Sequence, residues 1–310
     1  MARERADVQL AQLARVPPEG PRWLYEIKYD GYRALAHREG TRVELVSRSG
    51  LRYGGLEAIR EAVRSLGPRV LTLDGELCAL DDEGRPRFEL LQRAITHEDT
   101  SIVYFVFDVL AIDDRDVRAL PLSERKRALE SLVPRTDGGP LRRVVSHVGD
   151  GAGFLEATRS LGLEGLVAKR IDRPYRTGRN DDWRKVKTHA RQEAVVVGFT
   201  PPEGTRVGLG ALLLGVHDRS GALRYAGKVG TGIDDATLGA LAHALEPVVV
   251  PRAPVLDAPR MREARWVRPQ LVVEVRFTEW TSDGRMRHPV FVGLRADKVP
   301  SDVVKEVADS

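Results

Sequence analysis

The chain has 310 residues, a formal net charge of +4 and a pI near 9.3, with 42% hydrophobic and 30% charged residues. That balance excludes disordered and fibrous classes, and no apolar run approaches the roughly 20 residues that cross a bilayer. The single cysteine, Cys78, rules out an internal disulfide, and the slight basic excess allows a nucleic-acid partner without demonstrating one.

The length favours two domains, and the opening MARERADVQL carries charges where an export signal needs apolar residues, which predicts a cytoplasmic protein. Residues 23 to 48 alternate apolar and polar side chains around a turn at Glu39 and Gly40, the pattern of a strand pair. A helix is expected from Gly55 to Leu66, then a strand over VLTLDGELCAL, in which Cys78 reads as a buried small side chain. The turn DDEG and the helical spacing of PRFELLQRAI follow. SIVYFVFDVL is apolar throughout, as in a strand covered on both faces. SERKRALESLV offers a serine, Ser123, as a helix cap. RVVSHV, a helix around FLEATRSL, the strand GLVAKR and the segment WRKVKT complete an α+β half.

From about Gln192 the pattern changes to strands joined by short glycine-containing turns, with one helix near DDATLGALAHALE. About five strands and a helix suit a small barrel such as an OB-fold, or a small sandwich. The proline-rich VVVPRAPVLDAPR reads as a loop within this half. The expected division is residues 1–190 and 191–310.

Arginine outnumbers lysine 41 to 8, so lysine is the informative minority. Arginine stays protonated, whereas lysine can lose its proton and act as an amine nucleophile. Lys28, Lys169, Lys185, Lys187 and Lys298 fall inside motif-like segments. The sharpest is EIKYDGYR, a KxDGxR pattern; SRSG, LDGE, YFVFD, EGLVAK, WRKVK and FVGLRADK follow it in order along nearly the whole chain.

This ordered series resembles the ATP-dependent DNA ligases, and EIKYDGYRALA, LGALLLGV, GKVGTG and RHPVFVGLRADK are most similar to the ligase module of bacterial end-joining enzymes. The resemblance implies an α+β nucleotidyltransferase (adenylation) domain with antiparallel sheets and flanking helices, followed by an all-β OB-fold domain. It implies that Lys28 attacks ATP and carries AMP, and that Mg2+ or Mn2+ assists. Glu76 and Glu164 are the candidate metal and sugar carboxylates; by the resemblance Glu76 reads the ribose and Glu164 holds the metal. Phe107 would stack on adenine and Glu26 help select the base. Arg33 could clamp a phosphate through its planar fork, and Arg48 face the nick or the nucleotide. Lys169, Lys185 and Lys187 would neutralise phosphates and favour the neutral amine; the last two, two apart on a strand, project from one face. Arg295, Asp297 and Lys298 would orient the departing pyrophosphate. Implied partners are duplex DNA with nicks or broken ends and a Ku-like end-binding protein, with no membrane and a monomeric enzyme. An RNA ligase or mRNA-capping guanylyltransferase could use the same lysine, and a non-catalytic nucleic-acid clamp is the remaining rival.

Overall fold

The computed structural model describes residues 7–96, 102–133, 138–202, 208–261 and 263–307. The first six residues, read above as too charged for an export signal, lie outside them. The chain divides after Thr188 into two compact units, the second being His189–Val307.

The first unit contains, in chain order, β1 (Gln9–Leu13), β2 (Trp23–Ile27), β3 (Tyr32–Glu39), β4 (Arg42–Ser47), α1 (Glu57–Arg64), β5 (Val70–Ala79), α2 (Phe88–Thr96) and β6 (Ile102–Ile112). There follow β7 (Arg115–Asp116), α3 (Leu122–Leu132), β8 (Leu141–Arg143), β9 (Ser146–Val148), α4 (Gly151–Ser160), β10 (Gly165–Arg170) and β11 (Gly178–Lys187). They form two sheets, one ordered β1-β11-β10-β2-β9 and the other β4-β3-β5-β6-β7, with β8 parallel to β6.

Two sequence expectations change here. The segment 23–48 is three strands, because the chain leaves the first sheet after Ile27 and enters the second at Tyr32. Lys28 therefore sits just past a strand end, where its backbone N–H donates to Gly165 O at 2.8 Å. Gly31 makes the crossing possible: a Cβ there would lie 2.1 Å from the Leu77 carbonyl oxygen, a separation no side chain tolerates. RVVSHV likewise splits into β8 and β9, one in each sheet.

The helices show why charge patterns alone mislead. In α1, Ile59 and Val63 are one turn apart and buried, so the helix lays one apolar stripe on the sheet. In α3 the buried stripe is Leu122, Arg125, Lys126 and Leu129, at core-facing helical spacing although two members are cations. Both are paired: Arg125 binds Asp108 at 2.8 and 2.9 Å with both side chains fully buried, and Lys126 binds Glu26. Ser123 is not the cap; Pro121 holds that position without a side-chain hydrogen bond. Asp150 does cap α4, accepting from Gly153 N at 2.8 Å.

The second unit contains β12 (Ala190–Phe199), β13 (Leu212–His217), β14 (Leu223–Val229), α5 (Asp235–Leu245), β15 (Val249–Val250), β16 (Arg265–Val267), β17 (Val272–Phe277) and β18 (Val290–Leu294). Antiparallel pairing runs β14-β13-β12-β17-β18, and a bridge from Thr231 to Val290 joins the two ends, the closure of a five-stranded barrel. Val195, Val197, Leu212, Leu214, Val273 and Val275 fill its core together with Leu238 and Leu241 of α5. The proline-rich segment following β15 stays within this unit.

Candidate active site

The first unit holds a cavity of about 150 Å³ where the crossing after β2 meets β10, β11 and the second sheet. Glu26, Lys28, Arg33, Glu76, Phe107, Lys169 and Lys185 all line it, drawn from six separate strands or their ends. Lys28 points inward, and its Nζ lies 2.5 Å from Glu164 Oε2, a carboxylate placed by the residue that opens β10. Gly165, at φ 148°, approaches the Val186 backbone so closely that a Cβ would meet its oxygen at 2.0 Å, which seats Glu164 beside β11.

On one side of this cavity Glu26 is buried and accepts from three donors. Lys126 and Ser146 reach Oε1, the latter at 2.9 Å, and Lys169 reaches Oε2 at 2.6 Å. Burial alone would raise this carboxyl's pKa, but Lys126 and Lys169 outweigh it and hold the group below its ordinary range. The Lys169 ammonium lies 4.1 Å from the centroids of both Phe107 and Trp183, whose rings meet edge to face. Burial, opposed by Glu26 and reinforced by Lys126, brings Lys169 down to about 8. Tyr29 stacks on Phe105 at 4.0 Å and closes another side.

Arg33 lines the cavity and is also engaged within the protein. Its Nε and Nη2 donate to Asp74 at 2.9 and 2.6 Å, and Nη1 to Gln9 O at 2.6 Å. The planar fork is thus engaged by a fully buried carboxylate, which Tyr175 also binds at 2.7 Å, and Arg33 forms part of the cavity wall. Arg48 stands half-buried in the turn after β4 and is not among the residues lining the cavity. Lys185 pairs across from Val167 and lines it; Lys187, across from Gly165, does not.

In the second unit Arg295 and Asp297 are buried and bind each other in a bidentate pair at 2.9 Å, while Arg295 also donates to Glu274 at 2.7 Å. These contacts brace the loop that carries Arg295 and Asp297. Lys298 lies at the margin of this cluster, 2.8 Å from Glu193.

Among the described residues there is no group of three or more His, Cys, Asp or Glu side chains arranged to hold a metal ion. A Mg2+-type cation takes only one or two protein carboxylates and completes its shell from phosphates and water, so the chemistry of Glu76, on the cavity wall, and of Glu164, beside Lys28, suits such an ion. The buried Lys126 was not singled out from sequence, although it belongs to the same scarce lysines that marked Lys28. Trp183 was seen only as part of WRKVK.

A lysine-lined cavity in one unit and a small barrel in the next is the architecture of a nucleotidyltransferase. Family models for the ATP dependent DNA ligase domain and the ATP dependent DNA ligase C terminal region match residues 9–187 and 205–298, and the chain belongs to the ATP-dependent DNA ligases. The multifunctional non-homologous end joining protein LigD of Pseudomonas aeruginosa is 41% identical over 305 residues, covering 96% of this chain and 36% of the relative. The chain thus spans about a third of the length of that protein. DNA ligase C1 of Mycolicibacterium smegmatis is 30% identical, with 96% of this chain and 91% of the relative covered. A solved structure of a mycobacterial DNA ligase D complexed with ATP and MES superposes with a TM-score of 0.69 at 34% identity, covering 96% of this chain and 98% of that one.

Proposed function

We propose that this ligase joins nicks or broken ends of duplex DNA through an AMP carried on Lys28, in double-strand break repair by end joining with a Ku-like partner. The observation that carries the reading is the Lys28 amine inside the cavity, within hydrogen-bond reach of Glu164 and sharing its walls with Glu76, Lys169 and Lys185. In the first step the amine attacks the α-phosphorus of ATP. A nitrogen–phosphorus bond forms, the bond to pyrophosphate breaks, and the amine gives up a proton. A 5′-phosphate oxygen of DNA then displaces Lys28 from the AMP phosphorus, and a 3′-hydroxyl displaces AMP to leave a phosphodiester.

A carboxylate at 2.5 Å stabilises an ammonium, the form that cannot attack. A divalent cation on Glu164 and Glu76 would supply positive charge against the triphosphate. With Glu164 so engaged, Lys28 is left among Lys169 and Lys185, which favour its neutral form. In this reading Phe107 and Trp183, which line the cavity, would offer apolar surface to the base, and Glu76 would accept from a ribose hydroxyl. Support for end joining comes from the LigD relative; support for duplex DNA comes from the family.

Mass spectrometry after incubation with ATP or GTP, then nicked DNA or RNA, tests the reading. The expected result is one added AMP on the Lys28 peptide, discharged by nicked DNA and absent from Lys28→Ala. A GMP adduct, or discharge by RNA alone, would assign the chain to the capping or RNA-joining classes instead.

A further inference from the structure

The barrel unit contains a charge arrangement that the reading above leaves unused. Glu193 on β12 and Glu274 on β17 are directly opposite in register, and like charges so placed repel. Arg295 resolves the conflict by binding Glu274 at 2.7 Å and Asp297 at 2.9 Å, with side chains of Glu274 and Asp297 only 6% and 5% exposed. Arg295 stands 3.8 Å from Glu193, too far for a hydrogen bond. Glu193 instead accepts the Lys298 ammonium at 2.8 Å, and this outer pair is more open, at 27% and 17% exposure. Burial would raise the Glu193 carboxyl's pKa, but Lys298 and Arg295 hold it below its ordinary range, so it is an anion at neutral pH. The cluster therefore has a buried inner core and a more exposed outer ion pair.

We propose that Glu193 is a positioning residue for nucleotide loading: it holds Lys298 against the barrel between turnovers and must release it to the pyrophosphate of ATP. The inference rests on the reading of Lys298 as the pyrophosphate-facing lysine. An ammonium cannot be shared fully between a carboxylate and a phosphate, so the Glu193 contact competes with ATP for the same donors. Its strength sets part of the ATP concentration at which loading is half-maximal. Because the pair is partly exposed, the competition is modest, on the scale of ~2- to 5-fold in an equilibrium constant.

The test is a double-mutant cycle on self-adenylylation of the full chain, read as the ATP concentration for half-maximal loading. Glu193→Gln keeps the shape and removes the charge, and is expected to lower that concentration by ~2- to 5-fold. In a Lys298→Ala background the same change is expected to have no effect, and Glu193→Asp, which keeps the charge, is expected to stay near the parent. A Glu193→Gln variant that loads at the parent's ATP concentration, or that weakens loading equally with and without Lys298, would overturn the proposal and reduce Glu193 to a barrel-stabilising residue. Loading by Lys298→Ala that matches the parent would instead overturn the reading of Lys298 itself, and this proposal with it.

Discussion

The Lys28 cavity and the Arg295 cluster are made of the same materials, lysine and arginine against glutamate and aspartate, yet they are organised in opposite ways. Around Arg295 every charge is answered within the cluster, with Asp297 and Glu274 both in hydrogen-bond contact and Glu193 turned to Lys298. In the cavity, by contrast, Glu26 serves Lys126 and Lys169 at once, and Lys28 and Lys185 share walls around open space. A closed cluster supports a loop; charges arranged around a cavity leave room for a ligand among them. The difference separates a chemical site from its scaffold more reliably than residue type does.

The comparison breaks most sharply at Lys28. Lys28→Arg keeps the charge and loses the amine nucleophile, so adduct formation is expected to fall by on the order of 10⁴-fold or more, as when other covalent nucleophiles are removed. Detectable AMP on that variant, by mass spectrometry, would show that charge and not nucleophilicity is what the cavity needs.

The closed cluster predicts a stability effect instead. Arg295→Met leaves Asp297 and Glu274 buried without their shared cation, and is expected to cost about 3–5 kcal/mol in the denaturant unfolding of the barrel unit. A loss below about 1 kcal/mol, the scale of exposed pairs, would mean that the cluster is not closed.

Phe107→Ala should act on nucleotide binding rather than chemistry. Loss of a stacking face is worth about 0.5–1.5 kcal/mol, so the ATP concentration for half-maximal loading should rise by roughly 2- to 12-fold while the maximal rate changes less. A fall confined to the maximal rate would remove Phe107 from the base wall.

The smallest effect is in pH. Lys169 titrates near 8, below its ordinary 10.5, so it is charged below that pH and neutral above it. As pH rises through about 8 the cavity loses a positive charge, and ATP binding should weaken. Lys169→Met should lack that inflection, and its persistence in the variant would assign the titration to another group.

Much of the fold was legible because strand alternation and the α1 stripe of Ile59 and Val63 are local properties. The break after Ile27 was not, since alternation continues through EIKYDGYR, and only the tight approach of Gly31 to Leu77, a partner 46 positions away, shows that the chain changes sheets. Lys28, Lys169, Lys185, Glu26 and Glu76 line one cavity while Lys187 does not, and the pairing of Arg33 with Asp74 was not legible, because Asp74 lies on another strand in a segment read only for Glu76. Lys126 shows a further limit. It sits in a buried helical stripe that any hydrophobicity reading treats as a solvated face, and its scarcity in an arginine-rich chain was the one available signal.

Because Lys28, the proposed nucleophile, stands where the backbone passes from one sheet to the other, its surroundings are drawn from two frameworks at once. Tyr29, Asp30 and Gly31 carry the chain between the layers, and Gly31 passes so near the Leu77 carbonyl that no side chain fits there. Lys28 and Glu164 ride together on the ends of neighbouring strands of the first sheet, so anything that slides one sheet past the other moves that pair as a unit relative to Glu76 and Phe107 of the second.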